Sequence, residues 1–454
     1  MLIAGEASGD LLAAELVQAL RSEAGKMKLA PTSDYQPLGT SLEPRFFGAG
    51  GPRMAAAGVE LAFDLTAHSL IGLSGVLRGY FKFRKLFHQL YQLALERQPD
   101  FIICVDFSGF NRRFAHAIKQ HVRSRHGWFQ DWNPKIIQYV SPQVWASRAS
   151  RARQMERDYD LLLSIFPFEK DWYAHHAPNL RVIFVGNPIV DRYPNAEGSD
   201  GFINNSAFRT PHLSRRSLTE ADSALSTPHS ALRTPHSALR TPHSALVLLL
   251  PGSRVAELAR HLPVMLGALA IMRTHMPTLR ARIIVPSETL VDQATRLGVP
   301  SDVPIQAAGL PEALAQADLA ISKTGTISTE CAWFGVPTVT LYKTSRANYE
   351  IGKRIVKVKS LTMPNLLANE EVFPEFIQDA ATPQNISRAA LDLLQNETRR
   401  ANIKTRLAEV MSTLGSPGAS ERAAKAILGM DDLIFQACRQ GALPAVSRGV
   451  IIEP

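Results

Sequence analysis

The chain of 454 residues is 45% apolar and 20% charged, with a formal charge of +9, a globular composition long enough for two domains of about 200 residues. No run reaches the ~18 uninterrupted apolar residues that cross a bilayer, and no basic leader precedes the first strand, which reads as a cytoplasmic protein. Cys104, Cys331 and Cys438 have neither metal-ligand spacing nor the density of a disulfide framework. The basic excess points to nucleotides, phosphates or acidic lipid, because no nucleic-acid motif accompanies it.

Residues 1–4 form a first apolar strand, short against the usual ~5–6 residues, which places the natural start of translation a few codons upstream. Gly5-Glu6-Ala7-Ser8-Gly9-Asp10 then opens a helix. The glycines let a ligand approach the backbone, and Glu6, Ser8 and Asp10 supply polar contacts for sugar hydroxyls or phosphate. A similar loop, Gly48-Ala49-Gly50-Gly51-Pro52-Arg53, follows a strand at Phe46. Neither loop is the G-x-G-x-x-G fingerprint of a nicotinamide dehydrogenase. Between residues 69 and 86, Leu73, Val76, Leu77 and Phe81 stand beside Arg78 and Lys82. That mixture suits a helix in a membrane interface or one gripping acyl chains, and equally a helix packing one face on a core.

The strand at residues 101–105 ends in Asp106, followed by Phe107-Ser108-Gly109-Phe110-Asn111. The carboxyl end of a parallel strand faces the ligand crevice, so Asp106 is placed for general-base work; the plainer reading is an Asp that caps the next turn. Further strands at residues 136–140 and 161–166 complete an alternation of strands and helices that predicts a parallel sheet covered on both faces. Asp158-Tyr159-Asp160 looks like a metal-binding D-x-D but precedes a strand, and reads as helix-to-strand punctuation, with no metal.

The first domain spans residues 1–193, and residues 194–245 change character. Thr-Pro-His-Ser-Ala-Leu recurs every seven residues from Thr227, Thr234 and Thr241. A proline in each repeat forbids a continuous helix, and so a coiled coil, and the segment is too poor in apolar surface for a core, which predicts a disordered insert. Its histidines, His229, His236 and His243, have regular spacing that a metal site would use, but a repeat expansion at the DNA level accounts for it.

A second domain, residues 246–429, follows, with strands at residues 245–250, 281–285, 319–322 and 338–342 predicting another doubly wound sheet. The first of these strands runs into Pro251-Gly252-Ser253-Arg254, and a helix follows with Pro263 acceptable in its first turn. Such a turn exposes backbone N–H groups, and Arg254 adds a planar cation suited to phosphate; alone, it reads as well as a tight turn with a solvated Arg. Lys323-Thr324-Gly325-Thr326 places Gly325 and Thr326 at a helix N-terminus, where an anion is favoured. Glu330, about one turn on, suits the two hydroxyls of a ribose. A capping alternative makes Thr326 an N-cap and Glu330 a favourable first-turn charge, but two phosphate-type turns in one domain favour a nucleotide. Residues 387–428 are helical in composition and close the second domain or cross back to the first; residues 430–454 read as a tail.

Taken together, the chain resembles the lipid-A-disaccharide synthase family of two-Rossmann-domain (GT-B) glycosyltransferases. The resemblance rests on the loops at Gly5 and Gly50, Val105-Asp106-Phe107, Tyr139-Val140-Ser141-Pro142-Gln143-Val144-Trp145-Ala146, Phe166-Pro167-Phe168-Glu169-Lys170, Pro251-Gly252-Ser253-Arg254, Gly325-Thr326 with Glu330-Cys331, and Met363-Pro364-Asn365-Leu366-Leu367. It departs from the family in the insert, in extra residues at 28–43, in the short first strand and in the tail.

The resemblance implies an α/β fold of two Rossmann-like domains facing a cleft. It implies inverting transfer from UDP-2,3-diacylglucosamine to 2,3-diacylglucosamine 1-phosphate, giving lipid A disaccharide 1-phosphate and UDP. Asp106 would be the base; Arg254, Ser253, Gly325 and Thr326 would hold the diphosphate, Glu330 the ribose, and Asn365 a polar group near sugar or nucleotide. Glu6, Ser8, Gly9 and Asp10 would line the acceptor side. It implies no metal and no cofactor, and peripheral association with the cytoplasmic face of the inner membrane through residues 69–86; a homodimer is left open. Competing readings are a UDP-sugar epimerase, another UDP-sugar transferase on a lipid-linked acceptor, and a non-enzymatic nucleotide-binding protein.

Overall fold

The computed structural model describes residues 1–26, 44–69, 76–125, 131–193 and 244–430. Its first sheet contains β1 (Leu2–Ala4), β2 (Phe47–Gly50), β3 (Glu60–Asp64), β4 (Phe101–Val105), β5 (Lys135–Tyr139), β6 (Leu161–Ser164) and β7 (Val182–Phe184), in the order β3-β2-β1-β4-β5-β6-β7. The second contains β8 (Leu246–Leu250), β9 (Arg280–Val285), β10 (Ile305–Ala307), β11 (Leu319–Lys323), β12 (Thr338–Tyr342) and β13 (Glu375–Ile377), in the order β10-β9-β8-β11-β12-β13. All neighbouring strands pair in parallel.

The inner strands β4 and β8 are apolar throughout because helices cover both faces of each sheet. β8 is Leu-Val-Leu-Leu-Leu with every residue buried, and β4 is buried from Ile102 to Val105. The edge strand β3 alternates exposed with half-buried residues, and β7, β10 and β13 have three residues each. Strand order reverses between β1 and β4 in one sheet and between β8 and β11 in the other. At such a point the connections leave to opposite faces, which opens a crevice at the carboxyl ends of the two strands.

The helix Val255–His275 starts directly after Arg254 and carries Pro263 in its interior. This corrects the expected first-turn position: Pro263 lies more than two turns in, where its ring removes the N–H that would bond the carbonyl one turn back. By length and composition this helix could cross a membrane, but its Leu258, Leu262, Met265, Leu269 and Met272 are buried in the core of the second domain.

The chain crosses between the domains twice, and the crossings are bonded together. Asn187 N donates to Leu414 O at 2.9 Å and Gly418 N to Asp191 Oδ1 at 2.5 Å. Arg422 Nε reaches Val185 O at 2.7 Å. The returning helix Ala419–Leu428 then buries Ala423, Ala424 and Ile427 with Leu16, Val17 and Leu20 of the helix Ala7–Lys26, in the core of the first domain. Ile427 is 1% exposed, so Ile427→Ala should lower stability by about 2–5 kcal/mol, read as an earlier urea-unfolding transition. An unchanged midpoint would show that this helix does not seal that core.

Candidate active site

Both turns of the second domain lie at its strand-order reversal, after β8 and β11. Gly252 sits at φ +127°, and a Cβ there would meet the Glu257 carboxylate at 2.5 Å, so a glycine is required. Glu257, in the first turn of the helix Val255–His275, accepts from Ser253 N at 3.0 Å and from Lys323 Nζ at 3.1 Å. It ties the two turns into one unit. Burial pushes its carboxyl up, but Lys323, the Ser253 N–H and Arg254 outweigh that and hold it below the ordinary range.

His261, fully buried, clamps the base of the same unit. Its Nδ1 meets Pro251 O at 2.8 Å and its Nε2 meets Lys343 N at 3.1 Å. A carbonyl only accepts and an amide N–H only donates, so the ring is the neutral tautomer with its proton on Nδ1, and burial holds its pKa below the usual histidine value. At the other turn Gly325, φ +137°, is the N-cap of the helix Thr326–Trp333. No side chain caps this end, which corrects the alternative of Thr326 as N-cap and leaves the helix N-terminus to an anion.

In the first domain the corresponding reversal carries Gly5-Glu6-Ala7-Ser8-Gly9 after β1 and Asp106 after β4. Glu6 is half-buried and Ser8 exposed. A Cβ on Gly5 would fall 2.2 Å from the Phe107 ring, so this glycine lets the two loops meet, while one on Gly9 would make only ordinary contact with Asp106 Cβ at 3.5 Å. Asp106 and Phe107 lie at φ +48° and +43°, a conformation that costs about 1–3 kcal/mol per residue outside glycine. Two buried amides hold it: Asn111 Nδ2 donates to Asp106 O at 2.9 Å and Gln138 Nε2 to the same oxygen at 3.2 Å. Burial, then the charge of Glu6, push the Asp106 carboxyl above its ordinary range, while the Phe107 N–H and Arg254 oppose them.

The domains meet across this cleft. Arg254 Nη2 contacts Glu6 Oε1 at 3.0 Å. Arg192 lies 3.3 Å from Glu15 and 3.9 Å from Glu330. Burial raises the pKa of Glu330 and Arg192 opposes it. Glu6, Asp106, Ser253, Arg254, Lys323, Gly325, Thr326 and Glu330 therefore border one crevice.

Two expected contacts are corrected. Asp10 is 2% exposed, and its carboxylate accepts from the N–H groups of Gly51, Arg53 and Met54 at 2.8, 3.0 and 3.1 Å; it fixes the Gly50 loop and is not presented to a sugar. Asn365, also 2% exposed, donates to Phe373 O and Glu375 Oε1 and accepts from Val372 N and Phe373 N at 2.8–2.9 Å, so its whole amide anchors the chain before β13.

Asp158 and Asp160 of the D-x-D are held by His116 at 2.9 Å and by Lys119 and Ile136 N at 2.7 Å. Of the lipid-contact residues, Val76, Leu77, Arg78, Phe81 and Lys82 fall on the helix Val76–Arg97; their side chains, and Leu73 entirely, lie outside the described residues, as do His229, His236 and His243. Farther along that helix Leu86 and Leu90 are buried in the first core and Phe83 lies 6.4 Å from Phe107. Glu257, Arg192, Asn111 and Gln138 escaped sequence reasoning; only Glu257 left a signal, a carboxylate in the first turn after a phosphate-type loop.

The lipid-A-disaccharide synthetase family matches the chain over residues 1–206 and 228–428. A lipid-A-disaccharide synthase of Myxococcus xanthus is 32% identical over 432 residues, covering 94% of this chain and 96% of the relative. One from Coxiella burnetii is 30% identical, with 96% and 98% covered. Among solved structures, Staphylococcus aureus MnaA with UDP superposes with a TM-score of 0.52 at 13% identity, covering 96% of this chain and 97% of that one. The UDP-GlcNAc 2-epimerase of Neisseria meningitidis bound to UDP-GlcNAc gives 0.50 at 12%, covering 92% and 96%. These two are alike in fold.

Glu169, in Phe166-Pro167-Phe168-Glu169-Lys170, is fully buried, accepts from Trp145 Nε1 at 3.0 Å and leaves Oε2 without a partner. Trp145 in turn packs edge-on against Phe168 and onto the core of the second domain. Burial raises the Glu169 carboxyl from its ordinary 4.5 to about 7, against the hydrogen bond from Trp145. The fold favours the protonated form, so this contribution is complete below pH 4.5 and is lost as pH rises through about 7. Glu169→Gln should flatten the fall in Tm between about pH 5 and pH 8, a difference of about 3 kcal/mol. Parallel Tm profiles for the two proteins would remove Glu169 as the titrating group.

Proposed function

The chain belongs to the lipid-A-disaccharide synthetase family and is a glycosyltransferase of lipid A biosynthesis that joins a nucleotide-sugar donor to a phosphosugar acceptor; from that premise we propose how its residues divide the reaction. The donor is UDP-2,3-diacylglucosamine and the acceptor 2,3-diacylglucosamine 1-phosphate. Asp106 takes the proton from the acceptor 6-hydroxyl as that oxygen attacks the anomeric carbon of the donor. The bond from that carbon to the diphosphate breaks on the opposite face, inverting the centre, and UDP departs.

Charge that develops on the leaving diphosphate falls to Arg254, Lys323, the Ser253 turn and the helix N-terminus at Gly325 and Thr326. Glu330 receives the ribose hydroxyls. Ser8 and Gly9 border the acceptor, with Glu6 beside them. The observation that carries this reading is that the strand-order reversals of both sheets open onto one crevice, joined by the 3.0 Å contact of Arg254 with Glu6. It sets a carboxylate of one domain opposite the cationic turns of the other.

Peripheral docking on the cytoplasmic face of the inner membrane, through the start of the helix Val76–Arg97, would bring acylated substrates to this crevice. Leu77→Ser with Phe81→Ser should then weaken sedimentation with anionic liposomes, and unchanged sedimentation would discard that surface.

Incubation with both substrates should yield the disaccharide and UDP; turnover of UDP-GlcNAc without disaccharide would make the protein an epimerase instead. Asp106→Asn should lower kcat by about 10²–10⁴-fold with little change in Tm, because Asn tolerates the left-handed backbone at that position. Retained turnover would take the base role from Asp106.

A further inference from the structure

Both side-chain cations nearest the two phosphate-type turns already have anions. Lys323 Nζ is 3.1 Å from Glu257 Oε1, within the second domain, and Arg254 Nη2 is 3.0 Å from Glu6 Oε1, across the cleft. The two pairs differ in kind. Glu257 also accepts the Ser253 N–H and is largely buried with Lys323, their side chains being 18% and 19% exposed; it belongs to the scaffold of the turns. Among the described residues the Glu6 carboxylate pairs with this guanidinium alone, and the pair is 36% and 52% exposed. An ion pair that open to water is worth little and is readily exchanged.

Glu6 also stands beside Asp106, because β1 and β4 are neighbours in register, Ala4 opposite Val105. The charged groups facing Asp106 are Glu6, from the loop after β1, and Arg254, from the turn after β8.

We infer that Glu6 is a placeholder for the donor diphosphate: it holds Arg254 while the cleft is empty and gives it up when the diphosphate arrives. The exchange has a consequence on the opposite wall. Once Arg254 turns to the diphosphate, the Glu6 carboxylate loses its counter-charge next to Asp106 and raises the proton affinity of that group. Donor binding thus strengthens the base before the acceptor hydroxyl must lose its proton. Glu6 acts through Arg254 and Asp106 and is a positioning residue. This inference rests on the assignments of Arg254 to the diphosphate and of Asp106 as base.

The test is UDP titration by calorimetry, without acceptor, on the full chain and on Glu6→Gln. With its competitor removed, Arg254 should bind UDP more tightly, by up to about fivefold, the ceiling for an exposed pair. A residue that merely shaped the loop or touched the ligand would weaken binding when replaced. In an Arg254→Ala background the same substitution should have no effect, since the coupling runs through that guanidinium.

Unchanged or weaker UDP binding by Glu6→Gln, or a gain that persists in Arg254→Ala, would overturn the placeholder. With saturating donor, the acid limb of the kcat profile should also move to lower pH in Glu6→Gln. If UDP tightens as expected while that limb stays fixed, the coupling to Asp106 is overturned. UDP affinity does not involve the base, so loss of the base assignment alone leaves the titration unmoved.

Discussion

Everything in the cleft follows from the reversal of strand order in each sheet. A parallel sheet that grows outward in both directions from one strand must send neighbouring connections to opposite faces, and between them the carboxyl ends of two strands are left uncovered. In this chain those ends are β1 with β4 and β8 with β11. Their loops contain Gly5, Gly252 and Gly325, at positions where a Cβ would collide or where φ is positive. The geometry thus dictates where backbone N–H groups and short polar loops can gather, and the residues at those points then decide the chemistry.

Burial separates the polar groups that build the cleft from those that serve it. Asp10, His261, Asn365 and Glu169 are at most 2% exposed, and apart from one oxygen of Glu169 their polar atoms are bonded to neighbouring protein groups. Such groups are costly to disturb, because a buried donor or acceptor left alone loses about 1–3 kcal/mol. Glu6, Ser253, Arg254, Thr326 and Glu330 keep contact with water or hold long, weak pairs. They can exchange partners with a ligand at little cost. Asp106 stands between these classes: its backbone is strained and pinned by Asn111 and Gln138, while its carboxylate faces the cleft ions.

The long apolar strands were legible because burial on both faces writes an unbroken run into the chain, as at residues 101–105 and 246–250. β7, β10 and β13 were not: unlike the equally short β1, they have no fully buried residue; neither was β3, whose charged ends look like loop. Asp106, Arg254 and Gly325 could be placed from sequence because a strand end marks the crevice. Asp10 and Asn365 sit in equally suggestive motifs, yet their partners are mostly backbone groups, up to 44 residues away for Asp10, and no local pattern reveals that a carboxylate will be used as an internal cap. Arg192 was silent for the same reason: its partners Glu15 and Glu330 come from opposite domains.

The helix Ala419–Leu428 lies late in the chain but completes the core of the first domain, against Leu16, Val17 and Leu20. During synthesis, more than two hundred residues separate Arg192 from that helix. Until it emerges, Leu16, Val17 and Leu20 of the helix Ala7–Lys26 lack their contacts with Ala423, Ala424 and Ile427, so the first core is incomplete while the second domain is made. At about 5–20 residues per second, the fifty-odd residues between 194 and 245 lengthen that wait by roughly 3–10 s. The two domains are therefore separate in architecture but joined in time, because the first core is completed only when the helix Ala419–Leu428 arrives.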